Sequence, residues 1–189
     1  TSQEIATFFL LIKIINTAIL QMRMLRQHHQ KSSQDTLTKA WNLKKFYQKA
    51  VENMSVGNQK KYALITMDIK NFKYINSEYG YAYGDRILVA IVEILNLYME
   101  DEECFARIDA DIFILLLNYE DIEKLKQRLN LLIKKIERYN IRYDLITNIS
   151  CMLGIYLIND ITMDIAQMID YANTARKSIK DSHESCIAF

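Results

Sequence analysis

Apolar residues recur at alternating three- and four-residue steps through the first part of the chain, without an intervening glycine or proline. Such a heptad-like seam is typical of a helix that pairs with another helix. Lys13 and Asn16 interrupt the apolar run, which leaves it shorter than the roughly 18 uninterrupted apolar residues of a membrane span. We therefore predict a signalling or dimerisation helix over residues 1–34, with a membrane-proximal segment as the alternative. The seam consists of Ile5, Phe8, Ile12, Ile15, Ile19 and Met22.

The pattern from Asp35 onward alternates between short apolar runs and amphipathic stretches, and it predicts a second unit over residues 35–189. Short apolar runs indicate buried strands, whereas a 3.6-residue period indicates helices. Two apolar runs flank the polar residues 109–111 and predict a β-hairpin. Together these elements predict an α/β or α+β sandwich with helices on a sheet. Helices are predicted at 41–51, from Gly84-Asp85 onward, at 121–138 and at 164–179, and strands at 62–68, 104–108, 112–118 and 147–158.

Composition narrows the class of protein. Half of the residues are hydrophobic, which excludes a disordered chain, and a formal net charge of +1 gives no general attraction to nucleic acid. The cysteines Cys104, Cys151 and Cys186 show no C-x-x-C spacing, which argues against a zinc site or a disulfide framework. This cysteine usage predicts a cytoplasmic location. Since the chain begins within the first helix, we also expect it to be part of a longer protein, such as the cytoplasmic part of a membrane-anchored one.

Three carboxylates lie at positions where metal-binding or catalytic residues are common. Asp68 ends a predicted buried strand, Asp111 lies at the predicted hairpin tip, and Asp85 follows a glycine at a predicted helix start. Carboxylates at neighbouring strand ends can converge on a hard cation, as in two-metal phosphoryl-transfer sites. Aspartate is also an ordinary residue of strand ends and turns. From spacing alone, both interpretations stay open.

The segment around Asp68 carries a much more specific pattern. Residues 68–85 read D-I-K-N-F-K-Y-I-N-S-E-Y-G-Y-A-Y-G-D. This resembles the core of GGDEF domains, the diguanylate cyclase family, which reads approximately D-I-D-x-F-K-x-I-N-D-x-x-G-H-x-x-G-D. Residues 35–46 resemble the opening D-x-L-T-G-L-x-N-R-x-x-F of the family, residues 107–113 its R-x-G-G-D-E-F signature, and residues 172–180 its closing A-D-x-A-x-x-x-A-K.

The resemblance implies a palm-like nucleotidyl cyclase sandwich, with a central, mostly antiparallel sheet flanked by helices and an N-terminal signalling helix. The family joins two GTP molecules into cyclic di-GMP, with one GTP on each domain of an antiparallel pair. The resemblance also implies that Asn76 and Asp85 contact guanine and that Lys73 and Lys180 contact phosphate. The implied ligands of Mg²⁺, bound with GTP, are the Asp68 carboxylate, the Ile69 carbonyl and the Asp111 carboxylate.

The signature motif departs from the family at the residues that carry catalysis. It reads Asp109-Ala110-Asp111-Ile112-Phe113, so an alkyl side chain replaces a carboxylate that would ligate metal or accept a proton. A two-residue hairpin turn needs positive φ at its centre, so we expect Ala110 to be strained there. Lys70 replaces an acid, and Glu184 falls about where the family has an arginine. The resemblance therefore implies a degenerate domain without catalytic residues.

The product-binding R-x-x-D of the family has no counterpart here. The corresponding residues 99–103 read M-E-D-E-E and contain no arginine. A cluster of acids cannot bind the phosphates of cyclic di-GMP. We expect these acids to form an ordinary solvated loop.

These features predict a catalytically inactive GGDEF domain that binds GTP, dimerises through its N-terminal helix, or does both. Its expected role is to control a linked or partner phosphodiesterase (EAL) domain in cyclic di-GMP signalling. One alternative is a weakly active diguanylate cyclase, which the substitutions at Asp109, Ala110 and Ile112 disfavour. The other is a protein-interaction scaffold that binds no nucleotide.

Overall fold

The computed structural model describes residues 12–17, 21, 33–56, 60–142, 149–179 and 184–189. The chain divides into two units, residues 1–33 and 34–189, and each is described by itself. In the first unit, residues 12–17 are helical and expose the side chains of Ile12, Ile14 and Ile15. The other residues of the predicted seam lie outside the described residues. Within the part of the chain described, no helix has the length and apolar character needed to cross a membrane.

The second unit is built from strands and helices that follow the hydrophobic pattern. The described helices are α1 (Leu43–Val56), α2 (Phe72–Tyr79), α3 (Tyr81–Tyr98), α4 (Ile122–Arg142) and α5 (Ile165–Ser178). The described strands are β1 (Lys61–Ile69), β2 (Cys104–Arg107), β3 (Ile112–Tyr119), β4 (Cys151–Ile158) and β5 (Cys186–Ala188).

The strands form a sheet in the order β2-β3-β1-β4-β5. All neighbouring pairs are antiparallel except β4 and β5, which run parallel. The predicted sandwich with a mostly antiparallel sheet is therefore confirmed. The register pairs Asp68, near the end of β1, with Ile112 at the start of β3 and with Met152 of β4. This topology places the tip of the β2–β3 hairpin beside the carboxyl end of β1.

Side chains of β1 alternate between two apolar cores, one on each face of the sheet, as the two-residue period of a strand requires. Ala63, Ile65 and Met67 enter the core that includes residues of α2, α3 and α4. Tyr62 and Leu64 enter the core that includes residues of α1 and α5. Because both faces of β1 are covered, its carboxyl end is fixed by packing on two sides.

Three elements differ from the sequence-based prediction in presence or in where they begin. Among the others, α1 runs from 43 to 56 and not from 41 to 51, and β4 begins at 151 and not at 147. Helix α2 was not predicted, because only its residues Phe72 and Ile75 are buried and its apolar period is weak. Helix α3 begins at Tyr81, so Asp85 lies within the helix and not at its start. Strand β5 was not predicted either, since a run of three residues carries too little pattern.

Candidate functional site

The hairpin tip has a different shape from the one expected. The strands end at Arg107 and restart at Ile112, and the Ile108 N–H donates to the Ile112 carbonyl over 2.9 Å. Outside glycine, positive φ occurs among the described residues only at Lys39, Asn71 and Glu102. The expected strain at Ala110 is therefore wrong. The turn is longer than two residues, and the Asp109 carboxylate accepts a hydrogen bond from the Ala110 N–H over 2.8 Å.

Arg107 holds this tip against the first turn of the domain. Its Nε and Nη2 donate to the Ala110 carbonyl over 3.1 and 2.7 Å, and its Nη1 donates to Asp35 Oδ1 over 2.8 Å. Asp35 Oδ1 also accepts from the backbone N–H and the hydroxyl of Thr38 over 2.8 and 2.6 Å. The hairpin tip is thus fixed by a charged clamp and not by a pair of glycines.

The contacts of Asp35 change its titration. Partial burial alone would raise the pKa of Asp35, but the hydrogen bonds from Thr38 and the guanidinium of Arg107 together hold that pKa below its ordinary value of 3.8. The ionised carboxylate is therefore the form that the folded domain favours.

The carboxyl groups of Asp68 and Asp111 lie together at the carboxyl end of β1. Burial, followed by the charge of Asp68 and a hydrogen bond between the two carboxyl groups, raises the pKa of Asp111 to about 6. Ile112 pairs with Asp68 in the β1–β3 ladder, and its side chain has no polar atom that could interact with the two carboxyl groups. The structure thus brings together the two carboxylates predicted from the sequence.

Arg176 of α5 joins this pair of carboxylates. Arg176 as a whole is only 9% exposed to solvent, and its Nη1 donates a hydrogen bond to Asp68 Oδ2. Its Nη2 donates to Asn173 Oδ1 over 3.3 Å. The negative charge of Asp68 is therefore neutralised by a cationic side chain of the same domain.

The side chains at this end of β1 do not fit a divalent cation as they are arranged. Mg²⁺ takes oxygen ligands in near-octahedral geometry, usually one or two carboxylates with waters and phosphates. Here Asp68 binds Arg176, and Ile112 offers only carbon. Within the described residues, no group of three or more His, Cys, Asp or Glu side chains could hold a metal ion. The assignment of Asp68, Ile69 and Asp111 as Mg²⁺ ligands stays a prediction.

The residues predicted to contact guanine lie around the junction of α2 and α3. Gly80, with φ of 84°, links the two helices and lets the Asn76 side chain pack against Gly84 of α3. A Cβ at position 84 would lie 1.9 Å from Asn76 Oδ1, so only glycine leaves room for this amide. Asn76 Oδ1 is buried without a hydrogen-bond partner among the described residues. Asp85, the next residue, is exposed to solvent.

The remaining predicted site residues are placed as follows. Lys73 is exposed in the first turn of α2, just after β1. Ile69 is the buried last residue of β1, and the backbone N–H of Lys70 donates to the Ser150 carbonyl over 2.8 Å. Lys180 lies outside the described residues. Of the two predicted phosphate contacts, the structure therefore describes Lys73 alone.

The acidic stretch after α3 contains one buried ion pair. The side chain of Glu103 is fully buried, and Arg128 of α4 donates to both of its carboxylate oxygens over 2.6 and 2.7 Å. Glu103 also accepts hydrogen bonds from the backbone N–H groups of Glu100 and Asn118. The expectation of an entirely solvated loop is therefore wrong at Glu103, which anchors the loop to α4.

Sequence reasoning missed Arg107 and Arg176 as parts of the site. For Arg176 a signal existed, since it continues the buried stripe of α5 formed by Ile165, Ile169 and Ala172. A charge on such a stripe must find a buried partner. For Arg107 the signal was its match to the first residue of R-x-G-G-D-E-F, but the neighbouring residues do not indicate its partner Asp35, which lies 72 residues away.

Comparisons with known proteins agree with this fold. The family model for the diguanylate cyclase GGDEF domain matches residues 32–186. The GGDEF domain of DgcB from Caulobacter crescentus in complex with c-di-GMP superposes with a TM-score of 0.71 at 17% identity, covering 84% of this chain and 95% of that one. The diguanylate cyclase SiaD from Pseudomonas aeruginosa, solved with its activator SiaC, gives 0.72 at 20% identity, covering 98% and 74%. At these identities, the structures show a shared fold.

Among curated relatives, the probable diguanylate cyclase DgcT of Escherichia coli K12 is 22% identical over 151 residues, which cover 78% of this chain and 33% of DgcT. The bifunctional diguanylate cyclase/cyclic di-GMP phosphodiesterase MucR of P. aeruginosa is 28% identical over 105 residues, covering 54% of this chain and 15% of MucR. The chain thus spans a third or less of the length of these relatives. Because the family model covers most of the sequence, the chain belongs to the GGDEF domain family of diguanylate cyclases.

Proposed function

We propose that this domain is a catalytically inactive GGDEF module that binds a guanine nucleotide and regulates a partner domain in cyclic di-GMP signalling. The observation that carries the proposal is the contrast between two ends of the site. At the carboxyl end of β1, Asp68 pairs with Arg176 beside Ile112. At the junction of α2 and α3, Asn76 and Asp85 stand at the positions that the resemblance assigns to guanine contacts, and the Asn76 amide packs against Gly84.

Loss of catalysis follows from the chemistry of the reacting groups. Joining two GTP molecules requires a 3′-hydroxyl of one to lose its proton and attack the α-phosphorus of the other, which releases pyrophosphate, while the negative charge on the phosphate oxygens is stabilised. Ile112 can neither accept a proton nor ligate a metal, and Asp68 is occupied by Arg176. Asp109 adds a further negative charge beside a polyanionic substrate. These features favour binding without turnover and disfavour the weak cyclase.

Recognition of guanine is the function that the remaining residues support. Guanine presents two adjacent donors, N1–H and the 2-amino group, and the exposed carboxylate of Asp85 can accept both. The amide of Asn76, held against Gly84, supplies a second polar group nearby. Adenine has an acceptor at N1 and lacks the 2-amino group, so it would lose both hydrogen bonds and face a carboxylate. GTP should therefore bind in preference to ATP.

Regulation of a phosphodiesterase (EAL) domain is the proposed output. The name of MucR gives it both diguanylate cyclase and cyclic di-GMP phosphodiesterase activity. The cyclic di-GMP phosphodiesterase PdeR of E. coli is 27% identical over 122 residues, which cover 64% of this chain and 18% of PdeR. The nucleotide-bound state, passed on through a homodimer formed by the N-terminal helix, would set the activity of the linked or partner domain. The cytoplasm, where GTP is available, is the proposed compartment.

Calorimetry with GTP and ATP tests the proposal. We expect GTP to bind in the micromolar range or more weakly, about −8 kcal/mol or less favourable, and ATP at least about tenfold more weakly. Asp85→Ala should weaken GTP binding, and so should Gly84→Ala, whose methyl group displaces the Asn76 amide. Glu78→Ala, which removes an exposed acid of the neighbouring helix α2, is the matched control. Equal binding of both nucleotides, or unchanged affinity in Asp85→Ala, contradicts the proposal and favours the nucleotide-free scaffold.

A further inference from the structure

We propose that the guanidinium of Arg176 is the resident cation of the acidic group at the carboxyl end of β1, and that it excludes divalent metals from Asp68. The acidic group consists of Asp68, Asp109 and Asp111. The resemblance places a metal at Asp68 and Asp111, whereas the structure places a cationic side chain there. This proposal does not depend on nucleotide binding, because it concerns the protein alone.

Burial makes the pairing of Arg176 with Asp68 obligatory. The side chain of Arg176 is 10% exposed and that of Asp68 is 20% exposed, so neither charge is well solvated. Arg176 Nε is buried without a hydrogen-bond partner among the described residues, and Nη2 has only the long contact to Asn173. The guanidinium therefore depends on Asp68 for the neutralisation of its charge.

The backbone fixes Arg176 in this position. Gly154 of β4 pairs with Thr66 of β1, two residues before Asp68 and therefore on the same face of the sheet. A Cβ on Gly154 would lie 2.3 Å from Arg176 N and 2.6 Å from Arg176 Cβ, so α5 lies directly on this glycine. The stem of Arg176 thus starts above β4, and its guanidinium reaches the neighbouring strand at Asp68.

The charges of the acidic group explain why a cation is needed there. Asp111 directly precedes Ile112, the partner of Asp68 in the β1–β3 ladder, so these two carboxylates lie close together and repel each other when both are ionised. In a metal site, a divalent ion offsets this repulsion. Here the positive charge of Arg176 offsets part of it through Asp68.

Arg176 and a divalent cation would compete for Asp68. A metal held by Asp68 would need the carboxylate that Arg176 already binds, and two cations within a few ångströms repel each other. Ile112 contributes no ligand that could hold the metal without Asp68. For a metal to bind, the guanidinium must leave a buried position to which the close packing of α5 on Gly154 confines it.

Titration with Mn²⁺, followed by electron paramagnetic resonance without nucleotide, tests this proposal. We expect Arg176→Met, which keeps an unbranched side chain on Gly154, to bind Mn²⁺ about tenfold or more tightly than the wild-type chain. The double variant Arg176→Met/Asp68→Asn should lose this gain. Lys177→Met, which removes the adjacent exposed charge of α5, is the matched control and should bind like the wild type.

Equal affinity of the wild type and Arg176→Met for Mn²⁺, including the absence of binding by both, overturns the proposal. So does an equal gain in Lys177→Met, because that gain would reflect net charge. The thermal midpoint of the wild-type chain gives a readout that needs no variant to fold. It should stay unchanged when Mg²⁺ or Mn²⁺ is added, and a clear rise with either metal overturns the proposal as well.

Discussion

Gly154 of β4 lies directly beneath the backbone of Arg176 in α5. A Cβ at position 154 would lie 2.0 Å from the carbonyl oxygen of Ala172 and 2.3 Å from the backbone nitrogen of Arg176. Both are backbone atoms, so no side-chain rotation could relieve the contact. The absence of a side chain at Gly154 is therefore what allows α5 to approach the sheet closely enough for Arg176 to reach Asp68.

Gly154→Ala should destabilise the domain by about 1–3 kcal/mol or more, because α5 must move away from β4 to make room for the methyl group. The measurement is the urea midpoint of unfolding, compared with that of Asn159→Ala, an exposed position just after β4. An unchanged midpoint for Gly154→Ala would mean that α5 does not pack as closely as described.

The clamp between Asp35 and Arg107 should make the free energy of unfolding depend on pH in the acidic range. Because the pKa of Asp35 is lower in the folded domain than its ordinary 3.8, the ionised carboxylate stabilises the fold above about pH 4. That contribution is lost as the pH falls through the folded pKa. We expect Asp35→Asn to be less stable than the wild type at pH 7, and the difference to shrink on acidification below pH 4.

Chemical denaturation across this pH range measures that difference. Asp101→Asn, an exposed position, serves as control and should leave the pH dependence of the wild type in place. A difference between the wild type and Asp35→Asn that stays constant from pH 7 to pH 2.5 contradicts the role given to the Asp35 charge.

Removing only one partner of the buried ion pair between Glu103 and Arg128 should lower the free energy of unfolding. Arg128→Met leaves the fully buried Glu103 carboxylate without its cation, and the expected loss in free energy of unfolding is about 3–5 kcal/mol. Arg128→Met combined with Glu103→Gln should lose less, because no buried charge is left unpaired. Urea denaturation of the two variants gives the comparison. A double variant less stable than Arg128→Met alone would show that the charge on Glu103 is not the cause.

The N-terminal helix is predicted to hold the dimer. A chain that starts at Ser33 should shift toward monomer in light scattering, and so should Ile12→Asn/Ile15→Asn in the full chain, since both isoleucines are exposed in the described helix. Each buried isoleucine in such a seam contributes roughly 1.5–3 kcal/mol. Lys13→Asn, which changes a non-seam position, is the control. Identical masses per particle for the full and shortened chains would contradict dimerisation through this helix.

The sequence predicts most of the sheet because its strands carry unbroken apolar runs. The hairpin and β1 were placed to within about a residue by this pattern, and so was the meeting of Asp68 with Asp111 at one end of the sheet. Helix α5 was predicted at 164–179 and runs from Ile165 to Ser178. Helix α2 was not predicted because Phe72 and Ile75 are its only buried residues, which gives too short an apolar pattern to indicate a helix.

The errors at the site come from contacts that local sequence does not encode. Arg176 and Asp68 are separated by 108 residues, so the position of Arg176 on the buried stripe of α5 indicates that it needs a buried partner but not which residue that is. The φ of Ala110 was misjudged because the length of the turn depends on where β2 and β3 stop pairing. Glu103 was expected to be solvated because its partner, Arg128, lies 25 residues away on α4, and the acidic stretch around Glu103 does not indicate that contact.

Chromatographic detection of cyclic di-GMP is the most direct measurement of the central claim, that this GGDEF domain does not catalyse the family reaction. The full chain is incubated with GTP and Mg²⁺ or Mn²⁺, beside the variant Asp68→Asn/Asp111→Asn. We predict that the wild type forms no more product than this variant, because Ile112 and the Arg176–Asp68 pair leave no catalytic metal site. Cyclic di-GMP formed by the wild type above the level of the variant would contradict the account.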